Sequence, residues 1–481
     1  MIRSTTKFLA ASALLIASAA AQVIPTGSVV VLRCGDPNGL TLSGDAHPVF
    51  LDVFDSQTNA LLNTIEIPSS ASNPPATPSF SQNGFSFSEG CLSLSADNRY
   101  LVLAGYDRAI GASDPASESA LTTPRIVCTV DTLTGAIDTS TQLTDAFDQS
   151  TFRGATSDNG QRFWVSGNGG GGGSVRFVAS IGDSTSTDIV QGPSNGRWIG
   201  IHKGQLYMSS ASTSASAQGV LQVGTGLETQ LTTATILNGF PLTQQIADGA
   251  PHGFWFADDQ TLYVADDSGF AGGTNCGVQK WTESGGTWTR QYVLTTGPGN
   301  CAVGITGIVR DGVAEIWFTD AAATGFSNTL YKVVDTGPNA TPVLVATEPA
   351  NSDFRGVQVI GSTIVTTPGG CGTAELAVTA SGLVGTNIYS RVSNTNGFAF
   401  TNISFTPVGL PLQNCGCTVL YDLGFLAGQA DLTITLPNNP ALSGQVVNIQ
   451  GIDLFDTVTG CAPIVNGLPL STTDGKSVLI F

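Results

Sequence analysis

Charge is scarce in this chain of 481 residues. Asp, Glu, Lys and Arg make up 11% of it, against about a quarter in ordinary soluble domains. Methionine occurs twice and histidine three times, far from the make-up of a typical cytosolic enzyme. No segment beyond the N-terminus keeps a 3.6-residue apolar period, so helices should be few. No apolar run reaches the ~20 residues of a membrane-spanning helix. No G-x-S-x-G elbow is present, which removes one common route to a serine nucleophile. The glycine run at 167–173 is followed by neither Lys-Ser/Thr nor a helical pattern, so it is a loop and not a phosphate cradle. His47, His202 and His252 lack the spacing of a zinc-binding helix. Cations are the scarcer sign: 18 Lys and Arg face 36 Asp and Glu, a formal net charge of −18. Such a chain repels phosphate backbones, and nucleic acid is not an expected partner.

The N-terminus is a different kind of segment. Arg3 and Lys7 precede an apolar run from Phe8 to Ala17, and Ala19 and Ala21 satisfy the small-x-small rule. This is export-signal grammar, with cleavage expected before Gln22. A retained anchor is the alternative. The expected location is therefore extracellular or at the cell surface, and the remaining chain of about 460 residues is enough for two or three domains.

Nine cysteines fit an oxidising compartment, and the odd number leaves one thiol over. Cys276 and Cys301 flank one expected strand pair and make the best local candidate for a disulfide. Cys415-Gly-Cys417 is too tight for a zinc knuckle.

What the chain has in abundance is a repeated hairpin. An apolar strand, a tight polar turn and a second apolar strand recur from Cys91, Gly154, Ile199, Gly253, Gly304 and Gly356. The turns Asp97-Asn98, Asp158-Asn159-Gly160, Lys203-Gly204 and Asp311-Gly312 carry hairpin chemistry. Second hairpins follow from Arg125, Gly277 and Leu330. The spacing of roughly 45 to 60 residues is that of propeller blades with four strands each. Ser28 and Val49 begin strands that lack a first partner, while Phe354 to Ile360 supplies a first strand without its sequel. Pairing the two ends would close a ring and remove its open edges. The expected fold is thus all-β. Residues 22–368 form a β-propeller of six four-stranded blades, or seven if Ser362 to Thr367 starts another. The pattern changes at Gly369, and residues 369–481 read as a C-terminal β-sandwich.

Val30-VLRCGD, Leu92-SLSADNRYLVLAGYD, Leu262-YVADD and Phe354-RGV resemble a poorly characterised group of secreted bacterial β-propeller proteins. The tail, through Leu436-PNNPALSGQVVNIQGIDLFD and Gly467-LPLSTTDGKSVLIF, resembles a C-terminal module common in planctomycete-like secreted proteins. These resemblances imply fold and export. They imply no activity and no catalytic residue.

Candidate functional residues come from register. Glu89, Arg153, Arg197, His252 and Arg355 begin the first strands of successive units, with Ala302 in the same place in an apolar odd unit. Arg153 lies 11 residues before Trp164, Arg197 lies 10 before Tyr207, and His252 lies 11 before Tyr263. Equal offsets on equivalent hairpins should place them at one depth around the channel. Two readings follow: a cationic mouth for the carboxylates or sulfates of an acidic glycan, or arginines paired to neighbouring acids that lock the ring. Asp36, Asp107, Asp266 and Asp320 end second strands on the same face, beside Asn168 and Asp267. They are the pairing partners expected in the second reading; no cofactor is expected, and calcium held by these oxygens is the alternative, though no Asp-x-Asp-x-Asp loop with a closing Glu is present. Asn339 and Asn402 open glycosylation triplets.

These residues point to a secreted binding or scaffold protein that presents a propeller face to an extracellular glycan or protein, without catalysis. The alternative is an extracellular lyase or hydrolase acting on an acidic polysaccharide in the channel, with His252 and an arginine facing one cleft.

Overall fold

Lys203 and Gly204 both take left-handed backbone angles, φ 46° and 75°, the geometry of a two-residue type I′ turn. The turn joins strand Gly196–His202 to Gln205–Ala211 and sets His202 opposite Gln205. Gly285 and Gly286 do the same between Gly277–Ser284 and Thr287–Leu294. Local turn chemistry therefore fixes which residues face each other, and the β-branched and aromatic residues beside each turn fill the sheets.

The protein is described by a computed structural model over residues 24–479, except 26, 70–77, 133, 170–172, 213–216, 241–248, 269–275, 298–299, 311, 322–327, 361–363, 368–369, 372, 381–386, 405–406, 412–417, 422–424, 429–430, 436–445, 455–460 and 466–467. The expected export signal, the middle of the glycine run and Cys415-Gly-Cys417 lie outside these residues. The described chain is all-β, and no described helix is long and apolar enough to cross a membrane.

Four-stranded antiparallel sheets repeat along the chain as propeller-like units. One is Phe152–Ser157, Phe163–Gly167, Val175–Val178 and Thr187–Val190. The next runs from Gly196–His202 to Ala234–Ile236, another from Pro251–Asp258 to Thr287–Leu294, and another from Cys301–Arg310 to Val343–Ala346. In a further sheet Leu92–Leu94 pairs with Tyr100–Asp107, followed by Arg125–Asp131 and Ile137–Leu143. Two short strands, Ala46–His47 and Phe80–Asn83, extend it. The two ends of the repeat region meet as expected: Asp353–Val359 pairs with Ser28–Cys34, which continues into Val49–Asp55 and Leu61–Glu66.

Each sheet packs on the next, and the series returns to its start. Leu32 and Leu51 of the closing sheet meet Leu103 and Cys128. Val102 and Tyr106 meet Phe163 and Val165, and Trp164 and Phe177 meet Met208 and Leu221. Val220 meets Val264, Tyr263 meets Ile316, and Trp317 and Leu330 meet Val31 and Phe354. Each fully buried Leu or Phe contributes about 1.5–3 kcal/mol.

Hydroxyls join the units across these layers. Ser166 Oγ donates to the Arg197 carbonyl at 2.7 Å, Ser209 Oγ to the His252 carbonyl at 2.5 Å, and Thr319 Oγ1 to the Arg355 carbonyl at 2.7 Å. Each donor lies two residues after a second-strand aromatic: Trp164, Tyr207 or Trp317. All three hydroxyls are buried, so Ser166→Ala, Ser209→Ala and Thr319→Val should each cost about 1 kcal/mol by orphaning a carbonyl. The check is a lower urea midpoint at unchanged m-value. No shift in any of the three would refute the role.

The segment beyond the closing strand behaves differently from expectation in one respect. Ile364–Thr367 starts no further unit of the repeat but pairs with Leu468–Leu479. The tail pattern thus begins a few residues before Gly369. Phe398–Ser404, Val446–Leu454 and Leu468–Leu479 share one sheet, while Glu375–Ala380, Asn387–Ser393 and Asp431–Thr435 form another. Val378, Ile388 and Val392 of the second share a core with Val447, Ile449 and Val478 of the first. Tyr389 ties the tail to the repeat region by donating to Asp97 Oδ2 at 3.2 Å and lying under Arg99.

Candidate functional site

The first strand of successive units breaks register at one place. The shift falls between Phe152 and Gly154, Gly196 and Ile199, Pro251 and Phe254, and Ala302 and Ile305. In the closing sheet it falls opposite Phe354 to Val357. The bulged residues are Arg153, Arg197, His252, Val303 and Arg355. Bulges aim a side chain away from the ladder, and here they aim equivalent residues. Ala302, expected in this set, instead makes an ordinary ladder pair with Asp320, and Val303 takes the equivalent position. A glycine follows in Glu89-Gly90, Arg153-Gly154, His252-Gly253, Val303-Gly304 and Arg355-Gly356. The reason is close approach between units. A Cβ on Gly304 would overlap the Arg355 carbonyl, and one on Gly253 would sit 2.8 Å from the Val303 carbonyl.

The bulges gather Arg153, Arg197, His252 and Arg355, and Glu89, ahead of the strand Leu92–Leu94, joins them, but not at an open mouth. Glu89, His252 and Arg355 have no exposed surface, and Arg153 and Arg197 are 9% and 8% exposed. Arg355 donates to Asp353 Oδ2 at 3.1 Å, to Gln82 Oε1 at 3.2 Å, and to the carbonyls of Asn83 and Gly84 at 2.7 and 3.2 Å. Arg197 pairs with Asp267 at 2.8 Å. His252 Nε2 lies 3.5 Å from the same carboxylate oxygen. Arg153 donates to neutral acceptors, Asn195 Oδ1 at 2.5 Å and the Gly196 carbonyl at 3.0 Å. Glu89 accepts from the Tyr106 hydroxyl at 2.7 Å and from the Asn83 amide at 3.2 Å.

Burial dominates the electrostatics of this cluster. It pushes the Glu89 carboxyl up to about 7, against the pull of Arg355. It raises Asp353 to about 6 and raises Asp267, again against the neighbouring arginine. It brings Arg153 down to about 10, with Arg197 adding repulsion. His252 is held well below its ordinary value by burial and then by Arg197 and Arg153, so it is neutral at pH 7.

The acids expected at second-strand ends do other work. Asp36 Oδ1 accepts from the Asn38 amide, and Asp107 Oδ1 from the Ser79 amide. Asp266 accepts from the amides of Ala250 and Ser268, and burial raises it to about 6. Asp320 accepts from the Thr329 amide and the Thr296 hydroxyl. Each carboxylate ties down nearby backbone, and none of the four pairs with an arginine of the cluster. Among the described residues, no group of three or more His, Cys, Asp and Glu is placed to hold a metal. Among the described residues, the carboxylates that pair with arginines of the cluster are Asp267, which follows a second strand, and Asp353, from the closing strand.

His47 is fully buried in its short strand. His202 stacks on Phe256 with ring centroids 4.6 Å apart. Cys276 and Cys301 pack together without a mutual disulfide. Asn402 is buried, which keeps a glycan off that triplet.

An open space lies along the same inner strands, beyond the bulges. A cavity of about 760 Å³ is bounded by residues from every first strand, among them Leu92, Thr156, Ile201, Trp255, Ile305 and Gln358. Its walls carry apolar and polar surface in similar amounts, and Trp198, Phe254 and Phe256 supply aromatic surface. Its polar rim includes Asn98, His202, Lys203 and Asp258 from the hairpin turns. Trp255 stacks on Tyr263 at 5.6 Å, and Gly307 leaves room for its ring: a Cβ there would lie 2.5 Å from Trp255. None of Glu89, Arg153, Arg197, His252 and Arg355 bounds this cavity. Register reasoning looked to the strand starts and missed it. The available signal was Phe254-Trp255-Phe256, three aromatics with no polar alternation.

No family model matches the chain, and no curated protein matches it. Solved structures resemble it in outline only. Trypanosoma rangeli sialidase has a TM-score of 0.42 at 10% identity, covering 95% of this chain and 91% of that one. YCF48 bound to a D1 peptide has a TM-score of 0.36 at 10% identity, covering 71% and 96%. Dihydro-heme d1 dehydrogenase NirN has a TM-score of 0.32 at 10% identity, covering 94% and 76%. The strand pairing, and not these likenesses, carries the fold.

Proposed function

We propose that this is a secreted binding protein whose axial cavity takes a small ligand with a flat apolar face. The supporting observation is the cavity: about 760 Å³, walled by first strands and furnished with Trp198, Phe254, Trp255 and Phe256. That volume falls within the ~300–1,000 Å³ of small-molecule sites, which are apolar with a few polar groups to orient the ligand. Here the turn residues His202, Lys203 and Asp258 are the orienting groups. In this reading six units are the blades of a closed propeller, supported by the layer-on-layer packing that returns to its start. The tail is a β-sandwich, supported by the core its two sheets share. Residues 1–21 are the export signal. The kinship is with secreted bacterial propellers, with a planctomycete-like tail module. The bonded state of Cys371 fits an oxidising compartment.

Binding of the apolar dye 8-anilinonaphthalene-1-sulfonate to the folded full-length protein tests the reading. The dye should brighten and quench tryptophan emission at one saturable site. Trp255→Ala should weaken binding about tenfold, a loss of ~1.4 kcal/mol, and Gly307→Ala should weaken it by displacing the same ring. Equal dye affinity in all three proteins would remove the cavity from consideration.

A further inference from the structure

Three neighbouring bulges leave polar atoms stranded. Arg153 Nε, Arg197 Nε, Trp198 Nε1 and both ring nitrogens of His252 are buried and make no hydrogen bond among the described residues. They belong to one place. Arg197 lies close enough to Arg153 to weaken its hold on its proton, and both arginines add to the burial that keeps His252 neutral. The Trp198 ring stands edge-on to His252 with centroids 6.2 Å apart. An unmet buried donor costs about 1–3 kcal/mol, and native structures rarely leave several together.

The charges are also out of balance. Arg153, Arg197 and Arg355 carry three positive charges inside the protein. Asp267 and Asp353 answer two of them, through Arg197 and Arg355. Arg153 has no carboxylate partner: its hydrogen bonds go to Asn195 and Gly196. Glu89, the remaining acid, is bonded to Tyr106 and Asn83, and burial raises it to about 7, so at neutral pH it balances the third charge only in part. A buried guanidinium without a counter-charge is strongly unfavourable.

We propose that Arg153, Arg197, Trp198 and His252 enclose a small monovalent inorganic anion of the chloride class. Such an ion accepts several N–H donors at once and supplies the missing negative charge. Water supplies no charge. A polysaccharide carboxylate cannot enter, because the two arginines are more than nine-tenths buried. Trp198 borders both places, but Arg153, Arg197 and His252 lie outside the axial cavity, and the anion is read by chloride dependence and not by dye binding.

The test is thermal unfolding of the full-length protein at fixed ionic strength, with chloride replacing gluconate. The midpoint should rise and saturate, by about 2–4 °C between no chloride and excess. Arg153→Gln should abolish the chloride dependence. Where that variant does not fold, bromide-soaked crystals of the unaltered protein decide: an anomalous peak between Arg153, Arg197 and His252 supports the site. Identical midpoints in chloride and gluconate, or a water molecule in place of bromide, overturn it.

Discussion

Asp353→Ala should destabilise the protein by about 3–5 kcal/mol, a large part of the ~5–15 kcal/mol that holds a typical fold. Asp353 and Arg355 are both fully buried, and their Oδ2–Nε contact is 3.1 Å. Alanine would leave the guanidinium with Gln82 Oε1 and two backbone carbonyls, acceptors that carry no full charge. The effect falls at the seam of the molecule. Asp353 sits opposite Cys34 in the pairing that joins the late strand to the first one, and Arg355 reaches across to the strand Phe80–Asn83. Losing the ion pair should therefore open the ring where its two ends meet. The measurement is the urea midpoint with the m-value. The double variant Asp353→Leu with Arg355→Met should recover most of the loss, because it removes both buried charges together. A single-variant cost below about 1 kcal/mol would show that the seam does not depend on this pair.

The repeat was legible because its grammar is local. Lys203-Gly204 and Asp158-Asn159-Gly160 announce turns, and the flanking strands follow from period and residue type. The closing pair was legible for a different reason: the first unit lacked a first strand and the end of the region had one to spare. The cluster at the strand starts was legible as a set of residues but not as an environment. Equal spacing placed Arg153, Arg197, His252 and Arg355 together, yet spacing says nothing of depth. Burial came from Ala46–His47, Phe80–Asn83 and the Phe87 ring beside His252, parts of long connections that the repeat does not encode. The bulge was invisible too, which is why Ala302 and not Val303 was assigned to the odd unit. The X-Gly dipeptide was the better ruler, since it marks where two backbones meet.

The largest pH effect should come from Glu89, and its sign can be worked out. Burial raises this carboxyl from 4.5 to about 7. The unfolded chain gives up the proton near 4.5, whereas the folded protein keeps it until about 7. In that window the folded state binds more protons, so its stability from this group is complete below 4.5 and is lost as pH rises through 7. The difference, 7 minus 4.5, corresponds to about 3 kcal/mol. Asp266 and Asp353, each raised to about 6, act with the same sign but finish at lower pH. His252 acts with the opposite sign: held neutral, it costs stability as pH falls below 6.5. The raw stability profile is therefore a sum of opposed slopes, and the informative quantity is a difference. Glu89→Gln removes one titration and leaves the others in place. Glutamine keeps one acceptor for Tyr106 or Asn83 and loses the other, so the variant should be about 1 kcal/mol weaker than the parent near pH 4.5. By pH 8 the order should reverse, with the variant the more stable of the two. Urea midpoints of both proteins across pH 4.5–8 give the crossing directly. Parallel profiles would mean that Glu89 is ionised throughout and that the arginines around it outweigh its burial.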